Sequence, residues 1–297
     1  MSRVKHEAHC IDLLILLWAM LIPIAAANAA FAEVERAGEI VVELPGLPEG
    51  AQKLDMVLIQ PGVFFMGSLD TEPGRSERDW PAHQVRITKP FYMGKYEVTQ
   101  AQWETLMDKN PSKFRGRSNH PVEKVSWRAC QKFIKRLNAL GQGRFRLPTE
   151  AEWEYACRAG TKTPFFFSDQ VRDTQEGGNF LEVADRYMWW ADNSGSDGAR
   201  EVGLKSPNPW GLYDMHGNIW EWCWDRWEKP HQRESQVDPQ GPSFGWSLFS
   251  PWRNHVGRGG SFLESAEHCR SAHRGREQSA DYHYSLGFRI VRECQLR

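Results

Sequence analysis

RLPTEAEWEYACRAG, residues 146–160, reads as a helix with both ends marked. Thr149 stands at the N-cap and Glu152, three residues on, completes a capping box. Gly160 follows the last turn, where a left-handed residue closes a helix. Just upstream, SWRACQKFIKRLNAL (126–140) is the clearest helix, with Trp127, Cys130, Ile134 and Leu137 forming one apolar stripe. VTQAQWETLM (98–107) starts another, because Thr99 and Gln102 repeat the box.

Strands bracket these helices. DMVLIQPGVFFMGS (55–68) has two apolar runs around Pro61-Gly62, and HQVRITKPFYMGKYEVT (83–99) reads as two more strands. At the other end HVGRGGSF (255–262), CRSAHRG (269–275) and SLGFRIVR (285–292) predict three strands. Residues 161–210 read as loop, rich in Gly, Asp, Asn and aromatics. Strands, then helices, then strands again predict one α+β domain over 53–297, after a polar lead-in at 33–52.

Composition narrows the function. The chain has 297 residues, with 37 Lys plus Arg against 38 Asp plus Glu, so no strong field draws it to nucleic acid or an anionic membrane. Its 14 Trp imply large rings in the core under long loops. Trp210, Trp220 and Trp222 are read as core rather than groove. Arg3 and Lys5 precede a short apolar run broken by Pro23 and followed by Ala27-Asn28-Ala29 and Ala30-Phe31-Ala32. That pattern predicts a signal peptide over 1–32, whose removal would leave a periplasmic or secreted protein with no stable membrane anchor. Cys10 leaves with it. Cys130, Cys157, Cys223, Cys269 and Cys294 remain, an odd number whose simplest arrangement is two disulfides and one thiol.

Nucleophile-elbow, P-loop, dinucleotide-binding and zincin signatures are absent from the sequence. GVFFMGS, GKYEVTQAQW, PVEKVSW, RLPTEAEWEYACRAG, NPWGLYDMHGNIWEWCWD, RGGSF and LGFRIVR occur in this order. Together they resemble the sulfatase-modifying-factor family, the formylglycine-generating enzymes and their relatives, over about residues 53–292. The resemblance implies a single loop-rich α+β domain similar to the C-type lectin fold.

In the copper-dependent members two cysteines follow the G-G-S motif and bind Cu(I), a soft ion suited to thiolates. Counting from Ser261, those positions are Glu264 and Cys269, and one thiol with a carboxylate does not make that site. A secreted, stand-alone branch resembles this chain better. It includes a periplasmic protein that matures the pyoverdine siderophore chromophore and relies on an acid near this point. The implied reading is an oxidoreductase acting on a peptide or peptide-siderophore substrate. Glu264 would be base or proton relay, with Ser261 and Cys269 beside it. The alternatives are a solvated carboxylate at Glu264, a silent lectin-like module binding peptide or glycan, and a sulfatase activator.

The resemblance also implies Cys157–Cys269 and Cys130–Cys294 disulfides, leaving Cys223 free. Cys269 otherwise reads as a buried or a reactive thiol. It implies structural calcium, held by the Asp214 side chain and the carbonyls of Met215, Gly217 and Ile219. A second site would use Asn193, Ser194 and Asp197. His268 and His273 flank Cys269, and on a strand they would face opposite ways, which speaks against a shared metal.

Overall fold

A computed structural model describes residues 38–79, 81–173, 178–228, 234–241 and 254–294. The signal-peptide expectation and Cys10 lie outside these. The chain divides into two units, Met1–Ile40 and Val41–Arg297. Only residues 38–40 of the first are described; the sheets, helices and candidate site belong to the second, into which β1 runs.

The strands are β1 (Glu39–Val42), β2 (Leu54–Ile59), β3 (Gly62–Met66), β4 (His83–Ile87), β5 (Phe91–Gly94) and β6 (Phe145–Arg146). They continue with β7 (Trp220–Arg226), β8 (Gln236–Val237), β9 (Asn254–Arg258), β10 (Gly275–Gln278), β11 (Leu286–Gly287) and β12 (Val291–Glu293). The helices are α1 (Gln100–Leu106), α2 (Trp127–Asn138), α3 (Glu150–Arg158), α4 (Phe180–Tyr187) and α5 (Ala191–Ser194).

One sheet runs β2-β5-β12-β6, with Met93 of β5 opposite Val57 on one side and Val291 on the other. A second runs β3-β4-β8, with Phe64 opposite Val85. The third runs β10-β9-β7-β11, and its β7–β11 pair is parallel. β4 buries alternate residues, as a strand with one wet face does, whereas β7 is buried at nearly every position.

The quoted helix lies at the centre. All nine residues of α3 are buried, and it packs on β3, β7 and β9. Its capping box forms, with Thr149 Oγ1 accepting from Glu152 N–H at 3.1 Å. Burying carboxylates costs several kcal/mol each unless they are paired, so its three acids each need an arginine. Glu150 takes Arg274 at 2.6 Å, Glu152 takes Arg146 at 2.6 Å, and Glu154 takes Arg158 and Arg258. Trp153 packs inside the cluster with Met66, Val85, Met93, Cys157 and Val256.

Some expectations change. The buried stripe of α2 is Cys130, Phe133, Ile134 and Leu137. Trp127 instead stacks on His255 at 4.1 Å and donates to Cys223 O. Residues 161–210 contain α4 and α5. Asn179 stands at the N-cap of α4 without making a side-chain cap bond, and tertiary packing of Phe180 and Ala184 holds the helix. CRSAHRG is not a strand. A 3-10 turn at Ala266–Cys269 precedes it, and pairing begins only at Gly275. Among the described residues no helix is long and apolar enough to cross a membrane.

Candidate functional site

β9 ends at Arg258, and the glycine pair behind it is dictated by space. A Cβ at Gly259 would meet Trp153 at 3.2 Å, and one at Gly260 would meet Cys269 Sγ at 2.6 Å. Both have positive φ, 95° and 73°. The chain then turns at Ser261, which is buried. Its carbonyl accepts from Glu264 N–H at 3.0 Å and its hydroxyl from Leu263 N–H at 3.2 Å. Ser261 therefore builds the turn that presents Glu264, and Glu264 O accepts from Ala191 N–H of α5 at 3.0 Å.

The Glu264 side chain is 32% exposed and that of His268 is 48% exposed. Oε2 of Glu264 lies 3.0 Å from His268 Nδ1, and Oε1 accepts from Trp220 Nε1 at 3.4 Å. Trp220 extends over Gly257 and Gly275, where a Cβ would come within 3.6 and 3.0 Å of its ring. The 3-10 turn corrects the expected opposite placement of the histidines: the His268 and His273 rings are 4.8 Å apart. His273 is buried, and burial first, against the neighbouring Asp79 charge, holds its imidazole down to about 3, so it is neutral. Among the described residues no group of three or more His, Cys, Asp and Glu is arranged to hold a metal.

Cys269 sits in the core with Phe165, Phe180, Met188 and Trp190. Burial, then the nearby Glu264 charge, pushes its thiol up, so it is not poised as a nucleophile. Neither expected disulfide forms: Cys130, Cys157, Cys223 and Cys269 are free thiols. His216 explains the first pair. Its Nδ1 bonds to Cys269 O at 2.7 Å and its Nε2 lies 3.7 Å from Cys157 Sγ, so an imidazole reaches both residues. Burial holds His216 down to about 4 and pushes Cys157 up to about 12.

The calcium expectation meets a buried acid pair. Asp214, at φ 56°, accepts from Gly203 N–H at 2.8 Å through Oδ2, and its Oδ1 has no partner. Glu97, which the sequence motifs did not single out, accepts from Asn218 Nδ2 at 3.0 Å through Oε1 and leaves Oε2 without one. Burial pushes Asp214 up to about 6. Burial, then the charge of Asp214, pushes Glu97 well above the carboxylate range. Both orphaned atoms are hard carboxylate oxygens, the donor type that calcium takes. Of the expected carbonyls, Met215 O instead faces Cys157 Sγ at 3.6 Å; Gly217 and Ile219 belong to the same buried turn.

The second set does not fit an ion. Arg200 Nη2 donates to Ser194 O, and its Nη1 lies 3.7 Å from Asp197 Oδ2. Asn193 is spent on helix ends, accepting from Trp190 N–H at 3.0 Å and donating to Met188 O at 3.0 Å. A guanidinium supplies the positive charge in this loop.

A cavity of about 470 Å³ opens elsewhere, between Arg144, Arg146, Glu152, Asp238 and Glu293, and its lining does not include the Glu264 group. Its charge pairs are Arg146 with Glu152 of α3 at 2.6 Å and Glu293 with Arg144 and Arg146 at 3.4 and 3.3 Å.

The fold is that of a formylglycine-generating-enzyme-like, C-type-lectin-like α+β domain. The profile of the sulfatase-modifying factor enzyme 1-like domain family matches residues 44–294, and the chain belongs to that family. It is 29% identical to the mouse (Mus musculus) formylglycine-generating enzyme over 83% of this chain and 78% of the other. To the Mycobacterium tuberculosis enzyme of that name it is 30% identical, over 89% and 84%. Among solved structures, Treponema denticola variable protein 1 superposes with a TM-score of 0.71 at 26% identity, covering 86% of this chain and 99% of that one. PvdO from Pseudomonas aeruginosa superposes with a TM-score of 0.66 at 24% identity, covering 86% and 98%, a likeness of fold.

Proposed function

We propose that this chain is a secreted oxidoreductase that matures a peptide siderophore, oxidising the dihydro, phenol-bearing form of a pyoverdine-type chromophore. One observation carries the reading. Where the copper-dependent relatives place their first thiolate, Glu264 stands partly exposed and hydrogen-bonded to Trp220 and His268, while Cys269 is sealed in the core. That supports proton transfer rather than a pair of thiolates around a soft metal.

The oxidation removes two electrons and two protons from the substrate. Dioxygen accepts both and leaves as hydrogen peroxide, and the Glu264 site takes the first proton from the phenolic oxygen. Calcium at Asp214 and Glu97 is a structural ion in this proposal. Cleavage of the leader after Ala29 or Ala32 would leave the protein in the periplasm or outside the cell, and N-terminal sequencing of the secreted form should begin at Ala30 or Glu33. The test is metabolite profiling of a deletion strain. Accumulation of the dihydro siderophore, reversed by the wild-type gene and not by Glu264→Gln, is the expected result. Unchanged siderophores would sink the proposal and leave a binding module of lectin-like fold.

A further inference from the structure

We infer that the base of this site is Nε2 of His268 and that Glu264 is its positioning residue. The inference rests on the proposed oxidation and assigns the atom that takes the proton. The indole N–H of Trp220 is a donor only, and it points at Oε1 of Glu264 at 3.4 Å. The other oxygen faces His268 Nδ1 at 3.0 Å. A carboxylate with a donor on each oxygen is an acceptor at both, which selects the Nδ1–H tautomer of His268 and leaves Nε2 with its lone pair free. The carboxylate is the less exposed of the two, 32% against 48% for the imidazole, so a ligand arriving from solvent meets the ring first.

Proton transfer breaks the substrate O–H bond and forms N–H at Nε2, with the electron pair left on the phenolic oxygen. The imidazolium so formed is balanced by Glu264. On its other side lies the His273 ring, 4.8 Å away. That ring faces Asp79, Arg270 and Arg258, and burial keeps it neutral, so no second positive ring opposes the charge on His268. Glu264, His268, His273 and Trp220 come from the turn after β9, the 3-10 turn, the approach to β10 and the start of β7, so no single segment holds the site.

Two measurements on the full chain test this, one needing no substrate. ¹⁵N spectra of histidine-labelled protein, assigned by the signal lost in His268→Gln, should show His268 protonated at Nδ1 and bare at Nε2. Protonation at Nε2 with a bare Nδ1 would overturn the inference. In the maturation assay His268→Ala should lose a factor of about 10² to 10⁴ in rate. Added imidazole should restore part of it in proportion to its free-base concentration. A folded His268→Ala that keeps full activity, or one that imidazole cannot rescue, overturns the inference too. Should the wild type prove inert toward the siderophore while the tautomer is as expected, the oxidation is refuted and the pairing supported.

Discussion

Replacing Glu154 by Gln should lower the melting temperature by roughly 6–20 °C, from about 3–5 kcal/mol for breaking a buried ion pair and about 2–4 °C per kcal/mol in a chain of this size. Glu154 is fully buried and serves two arginines and a backbone amide. Its Oε1 accepts from Gly67 N–H at 2.8 Å and from Arg158 Nε at 2.8 Å, and its Oε2 pairs with Arg258 Nη2. Glutamine keeps one acceptor but turns an amide N–H₂ toward one guanidinium, leaving a buried positive charge short of its counterion. Arg258 retains His273 O at 2.5 Å and the more distant Glu150 at 3.8 Å. Because Arg258 directly precedes the Gly259-Gly260 turn, the Glu264 loop should loosen with it. The assay is thermal unfolding by circular dichroism at neutral pH, in low and high salt. The loss should be nearly independent of salt, since buried pairs are little screened. Asp108→Asn, which breaks the exposed pair with Arg136, is the control and should leave the midpoint unchanged. A Glu154→Gln midpoint within about 2 °C of wild type would refute the claim that these charges hold α3 in the core.

Burial pushes Asp225 from its ordinary 3.8 up to about 8. The unfolded chain therefore ionises first, and stability is lost as pH rises from about 4 to about 8. Asp225→Asn, which can still accept from Glu150 N–H, should match wild type near pH 4 and exceed it by roughly 2–5 kcal/mol above pH 8 in denaturant titrations; equal stability at both ends would contradict it. Calcium should raise the wild-type melting point, by an amount equivalent to about 2.7 kcal/mol at a hundred times Kd, and Asp214→Asn should abolish the response. Arg200→Ala should melt lower with calcium or with chelator alike, because the guanidinium holds Ser194 and Asp197; a chelator-sensitive wild-type loop at that point, tracked by amide exchange, would count against it. Reductant should leave the melting point unchanged, and native Cys269 should resist a thiol-specific reagent until the chain unfolds; rapid labelling would show an accessible thiol.

Signals that act within four residues were legible in sequence. The boxes at Thr99 and Thr149 form as read, because a side chain three residues away satisfies an N–H the helix leaves open. The strands of β2 to β5 and the α+β class follow from alternating apolar residues and turn punctuation in the same way. The position of Glu264 after the Gly-Gly-Ser turn could also be counted from the motif. What required the folded chain is each pairing that depends on its path. Arg270 reaches Glu72 across 198 residues, and Trp153 reaches Glu221 across 68. Glu97 meets the surroundings of Asp214 through Asn218, and His216 stands between two cysteines that a linear reading would join. CRSAHRG alternates like a strand, yet a 3-10 turn brings His268 back to Glu264 and beside His273. Local propensity fixes only the neighbouring dihedrals. Which imidazole meets which carboxylate is decided by burial and by the partner that each buried charge must find.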